Sequence, residues 1–197
     1  MAFWSSTDLN TPEPKRNYRW LVFVGGIDPW VAKKVSKPGF TVTETQHTWL
    51  NHNFYYPGKV EWSTVSITFV DPASPDLTQT LYNALKGGGY AFPESPTTYA
   101  TLSKALSRQA LGQVRIQQIG DQHSDTADGG ATVDGVRVLE EWFLYNAWIK
   151  DVKFGELDYT SDDLTEVTLE VRYDYAKLNG DNASGGSATK NIQGFKS

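Results

Sequence analysis

The sequence predicts a mainly β protein with a flanking α-helix. The strongest observation is the stretch 165–175, in which apolar and polar side chains alternate. Because successive side chains of a strand point to opposite faces of a sheet, this stretch is predicted to be a strand with one face on a core and one face in water. The core face would hold Thr165, Val167, Leu169, Val171, Tyr173 and Tyr175, and the other face Glu166, Thr168, Glu170, Arg172 and Asp174.

A second observation is the run at residues 136–148, which is rich in Trp, Phe, Tyr and Val, residue types that pack well on a pleated sheet. The linker between the two stretches holds Gly155 and an acidic Ser-Asp-Asp turn. Such a linker lets two strands lie side by side, so residues 136–148 and 165–175 are predicted to pair as antiparallel neighbours. Because a two-stranded unit is not stable alone, the rest of the chain must supply a covering layer.

Three further stretches have the composition of strands. Residues 18–24 form a short continuous apolar run, which suits a strand buried on both faces. Residues 60–70 alternate again, and residues 113–119 are predicted to form another strand. Within 60–70, the side chains predicted to point inward are Val65, Ile67 and Phe69.

After residue 73 the spacing of the apolar residues changes from that of a strand to that of a helix. An amphipathic helix is therefore predicted at residues 74–86. Ser74 is a suitable N-cap, Pro75 occupies a position where helices accept proline, and Gly87 follows as the C-terminal stop. A shorter helix is predicted at residues 102–111. The helices are therefore few, and strands dominate the predicted fold.

A length of 197 residues predicts one domain with a core large enough to need no covalent cross-links. Residues 1–17 are polar and contain two prolines, which predicts an extended N-terminal arm. Residues 18–178 are predicted to form the β domain, from which residues 40–59 project as a long hairpin. Residues 179–197 have the Gly- and Ser-rich composition of a flexible tail.

Composition excludes several classes of protein. The chain has no cysteine, so it can form neither a disulfide framework nor a thiolate metal site. No phosphate loop or dinucleotide fingerprint occurs, and no cofactor is predicted. No apolar run is long enough to span a bilayer, and the N-terminus lacks the order of a secretory signal. The protein is therefore expected to stay in the compartment where it is made.

The net charge of −5 is unevenly distributed. Residues 151–174 carry eight acidic and two basic side chains, a local charge of −6, so the remaining residues sum to +1. A phosphate-binding groove needs the opposite sign, which argues against tight nucleic-acid binding at this strand. The simplest interpretation of the charge alone is a solvated strand face.

The predicted hairpin at residues 40–59 is polar, β-prone and unusually aromatic. Aromatic side chains are costly to leave in water, so they either form a partner surface or fold back onto their own domain. The hairpin also holds His47 and His52, but two imidazoles without a nearby carboxylate make a poor metal site, and no metal is predicted. The aromatic residues in question are Trp49, Phe54, Tyr55 and Tyr56.

No catalytic motif is recognisable, and the chain is not predicted to be an enzyme. Glu140 and Glu141 are adjacent and therefore point to opposite faces of a strand, so they cannot act as a paired acid and base. An alternative combines Glu140 with Glu166 or Glu170 across strands. Beside aromatic residues, such carboxylates would suit a carbohydrate-binding or carbohydrate-cleaving β-protein.

Three blocks of sequence resemble the tail tube proteins of contractile-tailed (myovirus) phages. The first is RWLVFV near the start, and the second is YYPGKVEWSTVSITFVDP ahead of the predicted helix. The third and most specific is EEWFLYNAWIKDVKFGELDYTSDDLTEVTLEVRYDY, with its NAWI turn, its GELDY and its closing alternating strand. Together the resemblance covers most of residues 18–178.

This resemblance implies a β-sandwich or partly closed barrel with a flanking helix, assembled as a hexameric ring. Half-exposed strands would then line one shared barrel, which removes sheet edges by closing the ring. The hairpin residues Trp49, Phe54, Tyr55 and Tyr56 would contact the neighbouring ring. The residues implied to face the lumen are Glu166, Thr168, Glu170 and Asp174.

The implied function is structural: stacked rings form the inner tail tube, a hollow conduit through which phage DNA passes without specific binding. An acidic wall suits that role because like charge prevents the counterion release that drives DNA binding. The implied partners are other copies of the chain, the tail sheath protein, and the baseplate and tail terminator proteins. The implied location is the virion, assembled in the host cytoplasm. Alternatives are a ring that caps the tube, a tube protein of a related contractile secretion apparatus, or the carbohydrate-directed protein above.

Overall fold

Two antiparallel sheets, a projecting hairpin and two helices make up the structure, a computed structural model that describes residues 14–94, 101–120, 132–133, 136–160 and 162–179. The predictions for residues 1–13 of the arm and 180–197 of the tail lie outside the described residues. In chain order the elements are β1 Trp20–Val24, β2 Ala32–Val35, β3 Phe40–Trp49, β4 His52–Trp62, β5 Val65–Val70, α1 Leu77–Gly87, α2 Lys104–Leu111, β6 Val114–Ile119, β7 Thr132–Val133, β8 Val136–Tyr145, β9 Trp148–Lys153, β10 Glu166–Arg172 and β11 Tyr175–Asn179.

The two sheets face each other as a sandwich. The first sheet has the strand order β1-β6-β8-β11, with the short β7 paired on β8. The second sheet has the order β2-β5-β10-β9, and every pairing in both sheets is antiparallel. The predicted mainly β fold is therefore confirmed, and over the described residues it is an open sandwich and not a closed barrel.

The core lies between the sheets and is densest where β5 pairs with β10. The alternation predicted for both strands is confirmed within the strands, because their inward side chains are at most 1% exposed. Tyr175, which was predicted to face the core, is instead 40% exposed in the first sheet. Fully burying one such aliphatic side chain contributes about 1.5–3 kcal/mol. Leu77 and Leu81 of α1 join the same cluster from the side. The inward residues of these two strands are Val65, Ile67, Phe69, Val167, Leu169 and Val171.

The predicted pairing of residues 136–148 with residues 165–175 is wrong for most of their length, and the two stretches meet only at their ends, Tyr145 with Tyr175 and Trp148 with Arg172. β8 pairs with β6 and β11 in the first sheet, whereas β10 pairs with β5 and β9 in the second. The chain turns between β8 and β9 because Asn146 adopts a positive φ of 54°, which Asn tolerates better than most residues. A second break at residues 173–174 ends β10, so Tyr175 begins a strand of the first sheet. Each predicted strand therefore crosses from one layer to the other.

The helix predicted at residues 74–86 is present but begins at Leu77. Asp76, not Ser74, is the N-cap, since its side chain accepts a hydrogen bond from the backbone N–H of Gln79 at 2.9 Å. The shorter helix begins at Lys104 with Ser103 as its N-cap. Both differences arise because a carboxylate or hydroxyl nearer the first turn satisfies the free N–H groups there.

The predicted hairpin is longer than expected, since β3 and β4 pair from Phe40 to Trp62 and not only over residues 40–59. It extends the β2–β5 ladder past the end of the sandwich: Ser36 N donates to Ser66 O at 2.9 Å, and Ser63 N donates to Gly39 O at 2.8 Å. Every residue from 40 to 61 is exposed. The hairpin therefore projects and does not fold back on its own domain.

The loop 154–164 leaves the second sheet at the opposite end. Val65 lies beside Val171 at the hairpin end, whereas Glu166 lies beside Val70 and Thr168 beside Lys153 at the loop end. The hairpin and this loop thus project from the two ends of one sheet.

Glu140 on β8 fastens two chain segments to the first sheet. Its carboxylate accepts from Lys15, from Lys37 at 2.5 Å and from the indole N–H of Trp142 at 2.8 Å. Burial raises the pKa of Glu140, but these hydrogen bonds outweigh it and lower the pKa to about 2. Lys15 lies ahead of β1 and Lys37 lies between β2 and the hairpin, so one carboxylate anchors both segments.

We expect Gly155→Ala to lower the free energy of unfolding by about 2 kcal/mol or more, as strained backbone and overpacking do. Gly155 has φ 81°, and an added Cβ would lie 2.5 Å from the carbonyl oxygen of Glu166. Gly26→Ala is the matched control, because nothing lies within 4 Å of a Cβ there. Urea denaturation compares them, and equal stability of the two variants would contradict the close approach.

We also expect the stability of the protein to fall with acid partly through Glu140. A carboxyl whose pKa drops from 4.5 to about 2 on folding stabilises the protein fully above about pH 4.5, and this contribution is lost as the pH falls through 2. Glu140→Gln should cost about 2 kcal/mol at neutral pH, as loss of charge-assisted hydrogen bonds does, and should flatten the decline between pH 4.5 and 2.5. Urea unfolding across pH measures both. Glu156→Gln, in the exposed loop, is the control, and an unchanged pH profile for Glu140→Gln would refute the role.

Candidate subunit-assembly surfaces

The hairpin presents two different faces, and the structure divides the predicted aromatic set between them. Antiparallel partners share a face, and His47 lies opposite Phe54 while Thr45 lies opposite Tyr56. Trp49, paired with His52, belongs to the same face, and the rings of His52 and Phe54 lie 4.8 Å apart. Tyr55 pairs with Gln46 on the other face. The three residues Trp49, Phe54 and Tyr56 therefore form one aromatic face.

The tip of the hairpin exposes an apolar side chain in an unfavourable backbone conformation. Leu50 has φ 54° and is 85% exposed. The left-handed region costs a branched side chain roughly 1 kcal/mol, and Gly or Asn is the usual residue there. Leu50 thus adds an apolar contact point between the strands.

The outer face of the second sheet holds three of the four residues implied to face a lumen. Glu166, Thr168 and Glu170 lie on it together, half-buried and pointing away from the core. Glu166 pairs with Lys33, which raises the pKa of that lysine. Glu170 pairs with Lys150 at 3.3 Å. Each of the two glutamates on the predicted acidic face is therefore paired with a lysine.

Irregularities in both edge strands supply those lysines. The β2 register shifts between Ala32 and Lys34, and the β9 register shifts opposite the Glu170–Val171 step. A β-bulge inserts an extra residue into one strand, and here the extra residues are Lys33 and Lys150. Periodicity of the sequence does not show bulges, so sequence analysis missed these partners.

The structure does not bring Asp174 to that face. It follows the end of β10 and accepts hydrogen bonds from Lys104 of α2 at 2.6 Å and from Asn146 at 2.8 Å. These hydrogen bonds lower the pKa of Asp174 below its ordinary value. Asp174 thus ties α2 to the turn between β8 and β9. Beside it, a groove of about 690 Å³ runs between the hairpin base, the helices and the second sheet, with Trp62, Trp148 and Tyr173 in its lining.

The cross-strand carboxylate pair of the carbohydrate alternative is not formed. Glu140 belongs to the first sheet and is held by lysines, whereas Glu166 and Glu170 lie on the outer face of the second sheet. Glu141 points to the other side of β8, where its carboxylate accepts from Gln117 at 2.7 Å. Among the described residues, no group of three or more His, Cys, Asp or Glu side chains is placed to hold a metal ion.

Two apolar surfaces were not singled out from the sequence. One is the loop 154–164, in which Leu157 is 89% exposed and Tyr159 is fully exposed. The other surrounds Trp30, which is 69% exposed just before β2, and Tyr18. For the loop 154–164, the sequence does show a mixture of apolar and acidic residues that could have indicated an exposed contact surface. The sequence analysis interpreted this segment only as a linker.

The second sheet has two unpaired edges over the part of the chain that the structure describes. β2 pairs only with β5, and β9 pairs only with β10. An unpaired edge presents a row of free N–H and C=O groups that another strand can satisfy. In the described ranges no helix is long and apolar enough to cross a membrane.

No protein-family model matches the chain, and no curated protein matches it. Solved structures do. A chain of the anti-feeding prophage (AFP) baseplate, 6-fold symmetrised, is 21% identical with a TM-score of 0.56, covering 86% of this chain and 97% of that chain. A chain of the AFP tube terminating cap is 13% identical with a TM-score of 0.59, covering 91% and 99%.

A third similar structure is a chain of the PVC sheath-tube complex of an extracellular contractile injection system, in the extended state. It is 15% identical with a TM-score of 0.57, covering 90% of this chain and 99% of that chain. At such identities the comparisons establish the fold, and the expectation raised by the sequence blocks is confirmed at that level. The chain has the tail tube-like fold found in components of contractile injection systems.

Proposed function

We propose that the protein is a structural subunit of the inner tube of a contractile tail, assembled as hexameric rings that stack into a hollow conduit. The single observation that carries this proposal is the second sheet, which has two unpaired edges and a projecting structure at each end. The unpaired edges of the sheet can pair with those of neighbouring subunits and so close a ring. The projecting structures at the two ends can contact the next ring in a stack. The similar AFP baseplate chain comes from a six-fold symmetrised assembly, which supports a ring of six.

In this proposal β2 of one subunit pairs with β9 of the next. Because strands alternate in direction across the sheet from β2 to β9, the new pairing is antiparallel as well. Six subunits of four strands give a barrel of 24 strands, which at ~4.8 Å per strand has a backbone diameter of roughly 37 Å or more. Such a channel admits a linear polymer. Closure also removes both edges from solvent.

The hairpin would make the axial contact. Its aromatic residues are exposed on both faces, and a buried interface aromatic contributes about 2 kcal/mol or more. Hairpin and loop lie at opposite ends of the sheet, so each ring would stack head-to-tail on the next. A heterologous contact of this kind generates an open, extendable array.

A phage tail with DNA as the transported polymer is the identity that the C-terminal block favours. The outer wall of the tail would then contact a sheath protein, and its ends would meet baseplate and terminator proteins, all within a virion assembled in the host cytoplasm. The similar PVC chain lies in a sheath-tube complex, which supports the sheath contact.

A second candidate is a tube or tube-capping subunit of a related contractile injection apparatus. Two observations favour it: the similar structures above come from such systems, and Lys33 and Lys150 neutralise the sheet face proposed to line the lumen. A neutral wall suits cargo other than DNA equally well.

Purified protein should form six-fold rings that polymerise into tubes, as seen by negative-stain electron microscopy and native mass spectrometry. Varying salt and protein concentration tests the range of conditions. A strictly monomeric mass at high concentration in all conditions would contradict the proposal.

Replacing Trp49 or Tyr55 by Ala should impair ring stacking more than subunit folding, because both side chains are exposed in the subunit. Thr45→Ala, on the same face as Trp49, is the matched control. Tube length by electron microscopy reports stacking, and the melting temperature of the isolated subunit reports folding. An equal loss of thermal stability would place these rings in the core of the subunit instead.

Changing Glu166 and Glu170 together to Lys should leave folding nearly intact, since exposed ion pairs contribute about 0–1 kcal/mol each. If the second sheet lines the lumen, the altered wall should retain DNA, more strongly at low salt than at high salt. Glu166→Gln with Glu170→Gln is the control, since it removes negative charge without adding positive charge. Indistinguishable DNA retention by wild-type and double-Lys tubes would show that these residues face elsewhere.

A further inference from the structure

The two edges of the second sheet carry unlike surfaces at the same end. At the β2 edge, Tyr18 and Trp30 border a depression of about 560 Å³, together with Trp20 and Leu21. Trp30 is 69% and Tyr18 is 74% exposed, so neither ring is covered by the part of the chain that the structure describes. Two large aromatic side chains around one depression form a receptive apolar surface, here called the Trp30 surface.

The Trp30 surface lies in a strongly basic part of the chain. Residues 14–37 contain six basic side chains and one acidic side chain, a local charge of +5. Within the subunit Lys33 pairs with Glu166, and Lys15 and Lys37 both pair with Glu140. Lys34 is exposed on β2 beside them. The Trp30 surface is therefore apolar, with Lys33 in its lining and the exposed Lys34 next in the chain.

At the β9 edge the loop 154–164 has the complementary character. It contains four acidic side chains and no basic one, a charge of −4. Leu157 and Tyr159 stand almost entirely in solvent; Glu156 precedes them, Asp158 lies between them, and Asp162 follows in the chain. A loop that exposes Leu and Tyr among carboxylates matches an aromatic depression next to two lysines, Lys33 and Lys34.

The register of the sheet places both surfaces at one level. Ala32 at the start of β2 lies beside Phe69, which lies beside Val167 of β10. The next residue of β10, Thr168, lies beside Lys153, the last residue of β9. Trp30 just before β2 and Leu157 just after β9 therefore extend from the same end of the sheet.

One subunit cannot bring the two surfaces together by direct contact of its edges. Three strand spacings of about 4.8 Å separate β2 from β9. Only the returning end of the loop approaches β2: Lys33 has a raised pKa mainly through Glu166, with a smaller contribution from Asp163. The outgoing part of the loop, residues 156–160, remains for another molecule.

We propose that residues 156–160 of one copy dock on the Trp30 surface of a second copy, next to the seam where β9 meets β2. This rests on the ring of the proposed function. Rotation about a ring axis keeps equivalent points of all subunits at one height, so the loop end of β9 meets the loop end of β2. Opposite charges then fix the order of neighbours and exclude like edges from pairing.

Disulfide trapping tests the contact directly, because the chain has no cysteine of its own. A double variant with Trp30→Cys and Leu157→Cys should, after mild oxidation of assembled rings, give a covalent ladder up to six subunits on a non-reducing gel. The matched control pairs Leu157→Cys with Leu102→Cys, an exposed position beside the groove at the other end of the sheet, and should give no ladder in single rings that are separated from stacked tubes before oxidation. Rings that form without a Trp30–Leu157 ladder would overturn the docking while leaving the proposed function intact. Absence of rings in the wild-type protein would overturn the proposed function itself.

A charge exchange provides a second test that does not remove apolar contacts. Lys34→Glu and Glu156→Lys should each raise the concentration for half-maximal ring formation by about fivefold at low salt, because like charges then face each other. The double variant should return to near the wild-type value. Melting temperatures of the dilute subunits separate misfolding from weak assembly. A double variant that assembles no better than the weaker single variant would overturn the pairing of these surfaces.

Discussion

The antiparallel pairing of β5 with β10 determines where the other elements of the second sheet lie. Their inward side chains are almost completely buried, and the edge strands β2 and β9 are added on either side. Because side chains of a strand alternate, burying Val167, Leu169 and Val171 necessarily turns Glu166, Thr168 and Glu170 outward. The same ladder directs the hairpin from one end and the loop 154–164 from the other. One well-packed strand pair thereby orients every surface proposed for assembly.

The charges of this sheet are balanced locally. Lys33 and Lys150 sit at irregularities of the edge strands and pair with the two glutamates of β10. Surface ion pairs of this kind add little to the stability of the fold, so their main effect is on the electrostatic potential at this face of the sheet. Pairing of the two glutamates with lysines weakens the repulsion that this face would otherwise exert on a polyanion. At the loop end the two edges differ in charge, since the acidic loop 154–164 follows β9 whereas Lys33 and Lys34 lie on β2.

Glu140 and Asp174 connect elements that are distant in the chain. Glu140 anchors the segment before β1 and the segment before the hairpin, and Asp174 joins α2 to the turn after β8. Both are carboxylates held by lysine, and in both cases hydrogen bonds lower the pKa. The base of the projecting hairpin is therefore fixed by a polar contact at Lys37, while its strands remain exposed.

The sequence by itself determined the elements that depend on local periodicity. The alternation at residues 60–70 and 165–175 identified the two central strands and their inward faces as far as Tyr173, because period two is a property of any strand with one buried side. Tyr175 was assigned to the core face but is exposed. The helices were located to within three residues, and the error at Leu77 came from a competing cap at Asp76. The aromatic hairpin was recognised as a projection, although its length was underestimated.

Only the tertiary structure decided which strands are neighbours. Strand pairing depends on contacts between residues far apart in the chain, so the turn at Asn146 and the break after Arg172 assigned β8 and β10 to different sheets. The tertiary structure also places Tyr55 and Trp49 on opposite faces of the hairpin, because the register of β3 against β4 decides which side chains share a face. The lysine partners of Glu166 and Glu170 and the separate position of Asp174 were likewise invisible to periodicity. Side chains meet across strands through geometry that no single stretch of sequence contains.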